Sequence, residues 1–161
     1  VMSGTGSGPT REGVTDSQAM SFAELSECGK KIAQLNEGFS RLENEQRQHD
    51  KHKNELAAQS QAIESARLKV NLKQAKQVKD FNARLEQHRS IVKQFNTKIS
   101  QFNTQVTELK IQNESFNTAC ANRSYHLADF ERLSNELKTA IKTYAQTTAG
   151  QTPNSGEDIA K

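Results

Sequence analysis

Two runs of apolar residues, spaced alternately three and four apart, mirror one another along this chain. The first is Leu25, Cys28, Ile32, Leu35, Phe39 and Leu42, followed by Leu56, Ile63 and Val70; the second is Val78, Phe81, Leu85, Val92, Phe95, Ile99, Phe102, Val106, Leu109, Phe116 and Cys120. Residue numbers pair to a constant of 148: Cys28 with Cys120, Ile32 with Phe116, Phe39 with Leu109, Leu42 with Val106, Leu56 with Val92, Ile63 with Leu85 and Val70 with Val78. A three-four spacing puts one apolar stripe on a helix, and mirrored stripes meet layer for layer only if the chain doubles back. Both cysteines of the chain fall in one layer. The pattern predicts an all-α fold: a long antiparallel coiled-coil helical hairpin, stapled by Cys28 and Cys120.

No Gly or Pro occurs from Phe39 through Ala149, so the body is one helical problem. The first helix is expected to begin at Ser17 or Ser21, either of which can cap, and Ser21 with Glu24 three residues on has the spacing of a capping box ahead of the repeat. The body is expected to span 19–146, with a first arm at about 19–70, a turn at about 69–73 and a second arm at about 74–122. Without a turn glycine, the reversal is placed by the mirror centre and by Asn71 and Gln74, which have polar N-cap spacing. An arm of roughly 48 residues would be roughly 70 Å long. The rival is one uninterrupted helix in a parallel oligomer, which gives the cysteines no reason to share a layer.

Residues 1–18 and 147–161 are rich in Gly, Ser and Thr and carry both prolines, Pro9 and Pro153, and are expected to be flexible arms. Only 33% of the chain is hydrophobic and its mean hydropathy is −0.85, which suits a thin two-helix seam rather than a thick core. Residues 121–146 continue the heptad through Leu127, Phe130, Leu137, Ile141 and Tyr144, but their mirror partners lie in the N-terminal arm. They either fold back near Asn122 to Tyr125 as a C-terminal helix at about 124–146, or overhang and pair with a second molecule.

A disulfide between Cys28 and Cys120 would close 91 intervening residues, stabilising the fold by roughly 4.5 kcal/mol in the chain-entropy model. Helix axes normally lie about 8 to 10 Å apart, so the helices must pinch at the staple, which Gly29 would ease. The alternatives are two buried thiols in a reducing compartment or a redox-active pair, the latter without a Cys-x-x-Cys motif to support it.

Phe81-Asn82, Phe95-Asn96, Phe102-Asn103 and Phe116-Asn117 repeat one dipeptide at multiples of seven, fixing a seam ring and a flanking amide each time. The amides are either solvated neighbours or hydrogen-bonding groups that recruit further helices. With Asn117, Cys120, Arg123 and Tyr125 following as Asn-x-x-Cys-x-x-Arg-x-Tyr, the chain resembles uncharacterised exported bacterial helical-hairpin proteins over roughly residues 22–130. The resemblance implies a cysteine partner near the start of the first helix, matched by Cys28, and no transferable activity. His88 and Leu109 depart from it, standing where the dipeptide would recur.

The first arm turns polar from Glu43 to Asn54 where the second stays apolar, so Gln46, His49 and Lys53 mirror Phe102, Ile99 and Phe95. Either Lys and Gln stems lie across these rings, or Phe95, Ile99 and Phe102 form an exposed flank that binds a partner helix or a second hairpin. His49 and His52, three apart beside Asp50, have weak metal spacing and too few ligands, so no metal site is expected. Of His88 and His126, one is expected in the seam and the other on the surface.

Charge is concentrated at the middle of the chain. Residues 1–64 carry 7 basic and 10 acidic side chains, 65–98 carry 9 and 2, and 99–161 carry 6 and 7. Arg67, Lys69, Lys73, Lys76 and Lys79 therefore define a basic tip, read as solvated, as a contact for a protein or an anionic envelope surface, or as a nucleic-acid contact. The last is disfavoured because no aromatic platform is interleaved with the charges.

No nucleophile with its base, paired carboxylates or cofactor motif is present, so neither an enzyme nor a cofactor is expected. No transmembrane stretch appears, and the N-terminus lacks a signal-peptide apolar region, so an exported protein would be present here in mature form. The expected function is a non-enzymatic, periplasmic or otherwise exported structural and protein-interaction module: a disulfide-stapled spacer with a basic tip, self-association included among its contacts. The alternatives are a holdase similar to trimeric periplasmic chaperones with cationic helical arms, and a cytosolic coiled-coil adaptor with reduced cysteines.

Overall fold

A computed structural model describes residues 19–121 and 123–146. The flexible arms expected at 1–18 and 147–161 lie outside the described residues. Two long helices, α1 (Phe22–Arg67) and α2 (Ala75–Cys120), pack as an antiparallel hairpin and are followed by α3 (Leu127–Glu131) and α4 (Asn135–Gln146). The described residues form two compact units, to each of which both long helices contribute.

The disulfide unit comprises residues 19–41, 107–121 and 123–146. Its entry is the expected capping box: the Ser21 backbone N–H donates to Glu24 Oε2 at 3.3 Å, and the Glu24 N–H to Ser21 Oγ at 3.2 Å. Cys28 and Cys120 are joined as a disulfide with their Cα atoms 5.9 Å apart, so the two cysteines share one layer. After Cys120 the chain folds back rather than overhanging. Met20 N–H donates to the Ser124 carbonyl at 2.9 Å, and Phe116, Tyr125, Phe130, Leu133, Ile141 and Tyr144 are buried together with Met20, Leu25 and Ile32 in this unit's core.

Three details differ from the sequence reading. The C-terminal segment is two helices, because Ser134 starts a new one: its hydroxyl accepts from the Leu137 N–H at 3.3 Å. Leu127, expected in the seam, is exposed at the start of α3. Gly29 does not face α2; a side chain there would meet Leu137 and Ile141 of α4 at 3.4 Å. The glycine that admits α2 is Gly38, where an added Cβ would lie 2.9 Å from Leu109 Cδ1.

The turn unit comprises residues 42–106. Its core is Leu42, Leu56, Ile63, Phe95, Ile99, Phe102 and Val106, with Ile91 and Val92 packed against the Leu56–Phe95–Ile99 cluster. Val70, Val78, Phe81 and Leu85 are only half-buried, as a seam of two helices without a third layer requires. α1 ends at Arg67, three residues before the sequence placed it, and the reversal occupies 68–74.

Candidate functional site

The reversal is built by one asparagine instead of a glycine. Asn71 Oδ1 accepts from the Lys73 N–H and its carbonyl from the Gln74 N–H, both at 3.0 Å, while its own N–H donates to Gln77 Oε1 at 3.0 Å. A short polar side chain bonding the backbone two residues on is the Asx turn, which closes a loop that glycine would otherwise serve. On the other side, Lys69 N–H donates to the Ala66 carbonyl at 3.0 Å, prolonging the last turn of α1.

This loop brings the five expected basic residues to one end of the turn unit. Arg67, Lys69, Lys73, Lys76 and Lys79 are all exposed. Arg67 stands 3.8 Å from Glu64, a solvent-exposed pair of little energetic weight. From Ser65 to Lys79 there is no acidic residue. The sequence reading passed over two further residues in the same loop, Leu68 and Leu72, which are 88% and 86% exposed. The signal was available: their mirror partners on the 148 register are Asp80 and Lys76, so neither leucine has an apolar partner in the seam.

Phe95, Ile99 and Phe102 are not an exposed flank; they are 1%, 1% and 0% exposed. Histidine rings cover the two phenylalanines. His49 packs edge-on against Phe95 and Phe102 with centroids 5.9 and 5.2 Å away, and His52 against Phe95 at 5.3 Å. An imidazole is flat enough to lie against a ring with its nitrogen still reaching a polar partner, and His49 Nε2 lies 3.3 Å from Glu45 Oε1. The expected partner-binding strip is therefore satisfied within the hairpin.

Grooves remain open beside the thin seam of this unit. One of about 850 Å³ has Leu56, Leu85 and Val92 in its wall and His88, Arg89 and Lys93 among its polar lining. A smaller one of about 260 Å³ runs past Ile63, Arg84 and Ile91. His88 is half-buried between them and lines both. Among the described residues no three His, Cys, Asp or Glu side chains gather in a set that could hold a metal ion.

In the disulfide unit, each residue of the Asn-x-x-Cys-x-x-Arg-x-Tyr motif has a structural partner. Asn117 Oδ1 accepts from the Tyr144 hydroxyl at 3.1 Å, tying α4 to α2 through one amide of the Phe-Asn repeat. Cys120 meets Cys28, and Arg123 pairs with Glu24 of the capping box at 2.8 Å. Tyr125 bridges Met20 and stacks on Phe130 at 5.9 Å. Burial pushes the phenol pKa of both Tyr125 and Tyr144 above the usual value. Arg132 lies over the Phe22 ring at 4.3 Å and closes the same end.

No family model, curated protein or solved structure matches the chain. No described helix is long and apolar enough to cross a membrane.

Proposed function

We propose that the chain is a non-enzymatic interaction module of the bacterial envelope, a stapled helical hairpin that serves as a spacer and presents its basic turn to a partner. The observation that carries this reading is the acid-free run from Ser65 to Lys79, whose five cations are all solvent-facing. Charge of one sign on one exposed loop and the helix ends beside it acts at long range and steers an anionic partner. The pairing of Cys28 with Cys120 is compatible with export, since disulfides persist in oxidising compartments. Cross-linking pull-down compares the intact chain with a variant in which Lys69, Lys73, Lys76 and Lys79 are replaced by Glu. Partners lost selectively from the variant are expected; identical partner lists dismiss the turn as a protein contact.

A second reading, a holdase for unfolded chains, is favoured by the groove of about 850 Å³, whose apolar wall and cationic Arg89 and Lys93 would suit an extended acidic-apolar segment. Suppression of aggregation of a thermally unfolded client separates the two, because a passive spacer leaves the aggregation rate unchanged.

A further inference from the structure

We infer that the turn docks on an anionic lipid bilayer, with Leu68 and Leu72 entering the acyl boundary while Arg67, Lys69, Lys73, Lys76 and Lys79 meet the headgroups. This rests on the reading of the turn as the presented end and names the chemistry it meets. Single exposed leucines are common on protein surfaces. Here two occur four residues apart in one seven-residue reversal, each more exposed than any other large apolar side chain among the described residues, with five cations around them and no acid from Ser65 to Lys79. Neither leucine has seam packing to lose. The Asx turn at Asn71 and the Gln77 bond to its N–H hold the backbone between them, so part of the ordering cost of docking is already met.

The combination selects lipid over other anionic partners. Nucleic acid would be served by the cations but not by aliphatic leucines, which offer no face for base stacking. An acidic protein would need a pocket shaped for two leucines on a loop, whereas a fluid acyl layer accepts them without shape matching. Cations at headgroup level beside inserted aliphatic side chains are the division of labour found in peripheral membrane binding, where two weak contributions combine into stable anchoring.

Co-sedimentation of the full, oxidised chain with vesicles of phosphatidylglycerol and phosphatidylcholine, against phosphatidylcholine alone, tests this. Binding is expected to the anionic vesicles only and to weaken with salt. Leu68→Ser with Leu72→Ser is expected to lose at least tenfold in affinity while keeping its helical circular dichroism, both side chains being solvent-exposed. Replacing Lys69, Lys73, Lys76 and Lys79 by Gln is expected to cost about fivefold per charge removed. The chain has no tryptophan, so Leu72→Trp gives a single reporter whose emission should shift to the blue on anionic vesicles and not on soluble poly-glutamate. Absent binding to anionic vesicles, undiminished binding by the double serine variant, or a tryptophan that stays in water would each overturn the inference. A blue shift on poly-glutamate equal to that on vesicles would assign the leucines to an acidic protein instead. Partner lists that change in the pull-down without vesicle binding would reject lipid docking alone; vesicle binding with unchanged lists would reject only the protein-facing reading.

Discussion

Reduction of the staple isolates its contribution, because it removes the covalent link while leaving both sulfurs to fill their sites. Cys28 and Cys120 are 92 residues apart in sequence, and closing a loop of that size removes unfolded-state entropy equivalent to roughly 4.5 kcal/mol. Unfolding entropy near 2.1 cal/mol/K per residue, taken over the described residues 19–121 and 123–146, converts this to a fall in Tm of about 17 °C. Urea titrations of the oxidised and reduced chain, followed by far-ultraviolet circular dichroism, measure it directly. Tyrosine fluorescence reports the disulfide unit separately, since Tyr125 and Tyr144 are the chain's two tyrosines and both lie there. A link that acts on the unfolded chain should also lower the m-value of the oxidised form, because the cross-linked coil exposes less surface. A loss below about 1 kcal/mol on reduction would refute the reasoning. A full loss with identical m-values would move the effect from the unfolded ensemble to native contacts, which also refutes it.

The histidine cover over the phenylalanines predicts that His49→Ala destabilises by about 2 kcal/mol, through lost edge-on contacts and uncovered rings; a loss below about 0.5 kcal/mol in thermal melts would contradict that cover. Burial raises the pKa of Tyr125 and Tyr144, so folding favours the protonated phenols; the stability they confer is complete below the unfolded value of about 10 and is lost as pH climbs through the folded values. Tyrosinate absorbance should therefore appear later in an alkaline titration than in urea-unfolded chain, and Tyr144→Phe should cost about 1 kcal/mol at neutral pH by leaving Asn117 without its donor. Gly29→Ala, whose new methyl would meet α4 at ordinary contact distance, is expected to be neutral or stabilising by up to about 1 kcal/mol, whereas Gly29→Leu should detach α4 and quench the Phe116–Tyr144 contact seen at 4.9 Å. Equal melting of the two glycine variants would contradict that packing.

The hairpin and its register were legible because they are written twice, once in each direction, and a shift of one residue in either stripe would break every pairing from Cys28–Cys120 inward. What escaped the sequence shares one physical origin: a mirror rule describes a two-layer seam and is blind to anything that contributes a third layer or leaves the seam altogether. A two-layer rule leaves only α2 for Gly29 to face and so puts it at the pinch of the staple, yet the space it opens is filled by Leu137 and Ile141. The same blindness merged α3 and α4, since the heptad runs through Leu127 to Tyr144 unbroken and the stop signal is a single cap, Ser134. At the polar stretch the rule places His49 opposite Ile99, between Phe95 and Phe102, and the imidazoles of His49 and His52 supply edge-on cover for those rings that side-chain type alone does not announce.

At the turn the rule held the most information where it appeared to hold none. Leu68 and Leu72 mirror a carboxylate and an ammonium and are 88% and 86% exposed, so the seam packs neither of them. In the disulfide unit the opposite holds: Asn117, Cys120, Arg123 and Tyr125 each spend their side chain on an internal partner, so the most motif-like stretch of the chain is committed to holding the fold closed. Large apolar residues that the fold leaves unpacked are therefore sought among those that break the register, and among the described residues the two most exposed, Leu68 and Leu72, lie in the reversal around Asn71.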